Sequence, residues 1–229
     1  MAKTREILRD VVIRFADDSG TGMQVAGDQF TKTSAMLGND LSTLPDFPAE
    51  IRAPAGTLAG ISSFQIHFSS LDIHTPGDEV DVLVAMNPAA LKVSLNLVRQ
   101  NGIILINTAQ FVPKNLRLAA YESNPLEDGS LDKYQIFKVD LADLTKQALA
   151  DFPELSAREV ERSKNMFALG MVFWLFNRPL EHTIDWIRKY FSRPGREQYI
   201  EPNIAALKAG YAHAEATELF ATSYEVMPA

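Results

Sequence analysis

The chain reads as an α/β protein with a doubly wound, mainly parallel sheet and a C-terminal helical extension. Three observations lead there. Short apolar runs rich in β-branched residues alternate with helical patterns through position 150. Some of these runs, such as Ile103-Ile104-Leu105-Ile106, are apolar at every position, as a strand covered on both faces requires. From position 156 onward the alternation stops and three helical patterns follow one another.

In order, strands are expected at 10–15, 63–68, 80–86, 102–107 and 134–139, and helices at 21–37, 88–99 and 141–149. This alternation builds βαβ units, so the architecture is Rossmann-like, and such sheets hold ligands beyond the carboxyl ends of their strands. Those ends carry Asp17 to Gly22, Asn87 with Pro88, and Asn107 with Thr108. The extension contains helices at 156–176, 179–191 and 201–216. Ser156 with Glu159 three residues later forms a capping-box signature at the first of them. Its second half, 166–176, is apolar all round, which predicts a helix buried between the sheet and the two later helices. We therefore divide the chain into an α/β domain at 1–155, a helical extension packed on it at 156–223, and the start of a linker at 224–229.

The turn after the first strand is the most informative segment. Phe15-Ala16-Asp17-Asp18-Ser19-Gly20-Thr21-Gly22-Met23 joins an apolar strand to a helix, whose first N–H groups have no intrahelical partner. It approaches the dinucleotide fingerprint G-x-G-x-x-G but departs from it. Only Gly20 and Gly22 are in place, position 25 is Val, and Asp17 and Asp18 put negative charge beside any phosphate. An NAD site is thereby disfavoured. Asp17-Asp18 could do acid–base work, but such a pair more often starts a turn and caps the next helix, and capping is the expectation.

A second unusual segment, 50–60, combines Arg52, Pro54, Gly56, Thr57 and Gly60 ahead of a strand. Arg52 could hold a phosphate or carboxylate through both arms of its guanidinium, or could pair with Glu50 on the surface. His67 and His74 flank Asp72, but neither their spacing nor their setting suits a metal, and no metal site is expected. No Ser–His–Asp grouping or G-x-S-x-G elbow is present, so no catalytic residue is assigned.

Composition excludes several functions. The net charge of −7 disfavours nucleic acid or an anionic membrane as the main partner. No run of 18 uncharged apolar residues occurs and the first residues lack an apolar signal core, so a cytoplasmic location is expected. The 229 residues contain no cysteine, which removes disulfides, a thiolate nucleophile and a cysteine-held iron–sulfur cluster.

Three segments in order, Ile13 to Gly22, Ile51 to Thr57 and Asp81 to Leu91, resemble the gamma-type domain of 2-oxoacid:ferredoxin oxidoreductases. Within that family the chain is most similar to the N-terminal region of the 2-oxoglutarate-type alpha subunit. Lys164 to Gly170 and Glu201 to Gly210 resemble the helical end of the same domain. The resemblance implies thiamine-dependent oxidative decarboxylation of a 2-oxoacid, with coenzyme A taking the acyl group and ferredoxin the electrons. It implies that thiamine diphosphate, Mg and the iron–sulfur cluster sit in partner domains, a pyrimidine-binding domain and a beta subunit. It further implies a domain leaning over the active site and facing coenzyme A. The residues that would meet this co-substrate are Ser19, Gly20, Thr21, Gly22, Arg52, Gly56, Thr57 and Asn87. Two other readings remain open from the residues alone: a free-standing nucleotide-binding protein, and a module that serves assembly only.

Overall fold

The computed structural model describes residues 4–48, 53–217 and 220–229. Its main sheet has six strands in the order β3-β4-β2-β5-β6-β7. These are β2 (Asp10–Asp18), β3 (Asp40–Asp46), β4 (Ile61–Ser69), β5 (Val80–Ala85), β6 (Val98–Asn107) and β7 (Gln135–Val139). β2, β5, β6 and β7 run parallel, while β4 is antiparallel to both of its neighbours. The fold class is therefore mixed α/β with a mainly parallel sheet. Strand β3, unforeseen in the sequence, forms the edge beyond β4.

The helices are α1 (Met23–Met36), α2 (Pro88–Ser94), α3 (Pro113–Leu118), α4 (Leu141–Ala148), α5 (Ala157–Leu175), α6 (Glu181–Phe191) and α7 (Ile200–Ala216). They cover both faces of the sheet. Val11, Ile13 and Phe15 of β2 join one core with α1, α5 and α7, while Val12 and Ala16 join a second core with α2 and α3. Ile103 and Leu105 likewise face the first core, and Ile104 and Ile106 the second. A period-2 strand with both faces apolar is thus explained position by position.

α5 carries the capping box expected from Ser156 and Glu159, and every residue from Ser163 to Leu175 is buried. It crosses α7 backbone to backbone, because Gly170 and Gly210 leave no room for a side chain at the crossing. Phe30 of α1, Phe68 of β4 and Phe176 beyond α5 form an edge-to-face trio beneath.

Three elements differ from expectation. Helix 88–99 stops at Ser94 and tightens into a 3-10 turn at Leu95–Leu97; β6 begins as early as Val98, which pairs with Val80 ahead of a register shift in which Asn101 takes a left-handed φ of 61°. α1 starts at Met23 rather than at position 21, since Gly22 (φ 99°) is the residue that turns the chain into the helix. Residues 224–226, expected in a linker, belong to β8 (Thr222–Val226), which pairs in parallel with β1 (Thr4–Leu8) in a second, two-stranded sheet. The C-terminal tail is strapped down: Asn39 Nδ2 donates to Val226 O and Met227 O, and Ala229 N–H to Gly38 O. Among the described residues no helix is long and apolar enough to cross a membrane.

Candidate functional site at the carboxyl rim of the sheet

The parallel strands β2 and β5 end side by side, and their ends are joined by polar side chains. Asp17, only 2% exposed, accepts from Asn87 Nδ2 at 3.2 Å and from the Asp18 N–H at 2.8 Å. Asn87 also caps α2, its Oδ1 accepting from Ala90 N–H at 2.8 Å. At the end of the neighbouring strand, Asn107 donates to Met86 O and accepts from Leu141 N–H. These two asparagines tie the strand ends to the helices that follow them.

Asp18 reaches across the rim. Its Oδ1 accepts the Gly56 N–H at 2.7 Å, and the Ser19 N–H donates to Gly60 O at 2.9 Å. Ser19 to Gly22 and the Gly56-Thr57 turn, separated in the chain, are thereby brought to one edge. Asn87 lies beneath them, connected through Asp17, and Arg52 falls outside the described residues. The expected capping role of Asp17 and Asp18 is overturned. α1 has Gly22 at its N-cap with no side-chain cap, because both carboxylates are held by tertiary partners instead. The Val25 N–H turns back to Gly22 O, and no side chain among the described residues caps the N–H groups of Met23 and Gln24.

Burial pushes both carboxyls above the usual range. At Asp17 desolvation is opposed by the positive charge of Lys164 and by the Asp18 N–H; at Asp18 it is opposed by the Gly56 N–H and by Lys164. Lys164 is itself 7% exposed and bonds Glu161 Oε1 at 2.7 Å. A buried lysine facing two carboxylates balances charge where the chain backbone is most open.

Beside the turn lies a cleft of about 290 Å³ between α1, α5, α6 and the start of α7. Gly20, Thr21 and Gly22 form one wall. Trp186 and Tyr190, stacked at 4.6 Å, form an aromatic shelf opposite, and Arg162 and Arg196 stand on its margins. Asn165 Nδ2 donates to Thr21 O at 2.8 Å and fixes the turn against α5, while its buried Oδ1 has no partner. Glu159 accepts from Ser156 and from Tyr199 Oη (2.6 Å), which draws its carboxyl down to about 2. No group of three or more His, Asp or Glu among the described residues is placed to hold a metal. His67 is instead occupied by Thr75 O and Asp10. The arrangement can bind and orient a polar ligand.

Residues 12–213 match the family described as pyruvate ferredoxin/flavodoxin oxidoreductase. The chain belongs to this family. It is 49% identical over 228 residues to the 2-oxoglutarate oxidoreductase subunit KorA of Mycobacterium tuberculosis, covering 100% of this chain and 34% of that protein. The 2-oxoglutarate:ferredoxin oxidoreductase of Magnetococcus marinus, solved with 2-oxoglutarate, coenzyme A and succinyl-CoA bound, shares the fold. Its TM-score is 0.72 at 23% identity, over 96% of this chain and 33% of the other. The gamma subunit of a keto/oxoacid ferredoxin oxidoreductase from Geobacter sulfurreducens superposes with a TM-score of 0.59 at 18% identity, covering 90% of this chain and 99% of that subunit. The chain thus spans about a third of the length of the first two relatives and nearly the whole of a separate gamma subunit.

Sequence reasoning finds the glycine turn but misses the cleft beside it. The cleft's signals are present at helical spacing: Glu159, Arg162, Ser163 and Met166 along one face of α5, and Trp186 with Tyr190 four residues apart on α6. What is absent is any local indication that these faces meet the turn at 19–22.

Proposed function

We propose that this chain is the gamma-type domain of a thiamine-dependent 2-oxoacid:ferredoxin oxidoreductase, with 2-oxoglutarate as the 2-oxoacid. It faces coenzyme A and contributes to assembly. The observation that carries the reading is the match along its whole length to a 2-oxoglutarate oxidoreductase subunit at 49% identity. The geometry supports it from the other side. A rim of open backbone, an uncapped helix start and a cleft with an aromatic shelf and two arginines are what a long ligand carrying phosphates, amides and a base can use.

The residues fit coenzyme A as a ligand. Gly20 has open space where a Cβ would stand, so a ligand can approach its backbone, and Gly56 takes a φ of 80° that favours glycine. Ser19 to Gly22, Gly56 and Thr57 would line its path, with Arg52 from the same segment. Asn87 would act from beneath by holding Asp17. The residues do not fit an iron–sulfur cluster, for the chain has no cysteine. By the family resemblance, thiamine diphosphate, Mg and the cluster would be held by a pyrimidine-binding domain and a beta subunit, through which ferredoxin would be reduced. The role of this chain is to bind, orient and exclude water. A cytoplasmic location accords with this chemistry.

The test is reconstitution. The isolated chain turns over no 2-oxoacid, and adding the remaining subunits yields 2-oxoglutarate- and coenzyme A-dependent reduction of ferredoxin or a dye. Turnover by the chain alone refutes the reading. Calorimetric titration of the complex with coenzyme A, repeated with Arg52→Ala and Arg196→Ala, separates a coenzyme A-facing domain from an assembly module. Unchanged heats in both variants favour assembly alone.

A further inference from the structure

We propose that Asp18 is a positioning residue whose carboxylate latches the loop at 53–60 to the β2–α1 turn and so fixes the backbone edge presented to coenzyme A. This rests on the functional reading above and names a residue that sets the shape of that same site.

An aspartate at the N-cap serves its own helix. Asp18 stands four residues ahead of the N-cap Gly22 and serves a different segment. Its Oδ1 is 2.7 Å from the N–H of Gly56, 38 residues away, and α1 goes without a side-chain cap. Among the described residues, two hydrogen bonds tie the 53–60 loop to the β2–α1 turn, this one and Ser19 N–H to Gly60 O at 2.9 Å, besides the Ile61 N–H that closes the loop's end on Leu58 O. The loop's other bonds are internal, with Thr57 N–H and Oγ1 donating to Pro54 O and Gly60 N–H to Thr57 O. Both anchors thus come from consecutive residues, Asp18 and Ser19, and only the first is a side chain.

The latch point is where the loop is most particular. Gly56 has a φ of 80°, so its N–H points as it does only while that glycine holds the turn. A charged acceptor makes this bond shorter and stronger than a neutral one. Lys164, itself buried, lowers the cost of placing carboxylates at Asp17 and Asp18, against the desolvation that raises both. The same Asp18 holds Thr21 Oγ1 through its main-chain oxygen at 2.9 Å. One residue therefore sets both walls of the rim, the turn at 19–22 and the loop with Gly56 and Thr57.

The experiment uses the complete oxidoreductase complex with Asp18→Ala, Asp18→Asn and, as a surface control, Asp28→Asn. Steady-state kinetics give kcat and the two KM values, and hydrogen exchange reads the amides of 53–60. In Asp18→Ala the KM for coenzyme A rises about tenfold, the equivalent of about 1.4 kcal/mol. The KM for 2-oxoglutarate and kcat at saturating coenzyme A stay as in the parent, and exchange at 53–60 accelerates. Asp18→Asn, which keeps shape and an acceptor oxygen, gives a smaller rise and covers the case in which the alanine variant fails to assemble. Asp28→Asn changes nothing. Faster exchange with an unchanged coenzyme A KM overturns the proposal, as does a parallel loss of kcat and of affinity for both substrates. A parent complex that oxidises 2-oxoglutarate without needing coenzyme A refutes the functional reading instead, and the exchange data then report on the latch alone.

Discussion

The α5–α7 crossing offers the sharpest test of how this fold is held together. A Cβ built on Gly210 would stand 2.7 Å from the carbonyl carbon of Phe167 and press on its oxygen; one on Gly170 would stand 2.8 Å from the Tyr211 nitrogen and press on Leu207 O. Both obstacles are backbone, so no rotamer change relieves them. In Gly210→Ala the helices must separate by roughly 1 Å, and α5 cannot recede because it is packed on α1, where the Phe173 ring meets Phe30 edge to face at 5.8 Å. Overpacking of this kind costs about 3 kcal/mol. Alanine's better helix propensity returns about 1 kcal/mol. The net is a loss of about 2 kcal/mol, or roughly 4–8 °C in Tm for a chain of this size. Urea unfolding followed by circular dichroism reads it as a lower midpoint with an unchanged m-value. The double variant Gly170→Ala/Gly210→Ala should lose less than the sum of the singles, since one separation accommodates both methyls. A Gly210→Ala protein more stable than the parent, or strict additivity in the pair, would refute the close-crossing argument.

Three further outcomes are expected. Asp17→Asn keeps the shape of a buried carboxyl without its charge. Because burial raises the folded-state value, the parent loses stability as pH rises from 3.8 through that value; the variant's advantage in denaturant midpoint should therefore be absent at low pH and grow toward neutrality. Glu159→Gln should show the opposite profile: its contribution is fully present above 4.5 and lost as pH falls through about 2, so parent and variant should converge in melts run at the acid end. Asn39→Ala removes the acceptor of the buried Arg178 guanidinium (2.7 Å) and the donor to Val226 and Met227; it should cost about 2–4 kcal/mol and speed hydrogen exchange in β1 and β8 while the parallel strands stay protected.

What can be read from the chain follows the range of the interactions involved. β2, β5 and β6 announce themselves because both faces are buried, so their residues are apolar almost without interruption. β3 is hidden because Asp-Leu-Ser-Thr-Leu-Pro-Asp is a half-exposed edge with a proline in it. β1 and β8 are hidden for another reason: each exists through the other, Thr4 pairing with Thr222, and no local pattern encodes a partner that distant. The glycine turn at 19–22 is legible because left-handed φ values at Gly20 and Gly22 leave a residue-type signature. The cleft beside it is not, since it joins that turn to Asn165, 144 residues on from Thr21.

At Asp17-Asp18 the local rule is sound and tertiary structure overrides it. Two carboxylates ahead of a helix would normally be drawn to its free N–H groups, and here no side chain among the described residues caps those of Met23 and Gln24. The carboxylates instead go where the fold offers charge-assisted or buried partners: Gly56 N–H, Asn87 Nδ2 and the field of Lys164. A helix start left uncapped, next to glycines free of side-chain bulk and a cleft edged by arginines, forgoes local stability and keeps its donors available to a ligand. This follows if a polar co-substrate completes the rim. It also explains why the buried Asp17 and half-buried Asp18 sit behind the turn rather than in it: placed at the cap their carboxylates would repel an incoming phosphate, whereas behind the rim, beside Lys164, they shape the backbone without confronting the ligand.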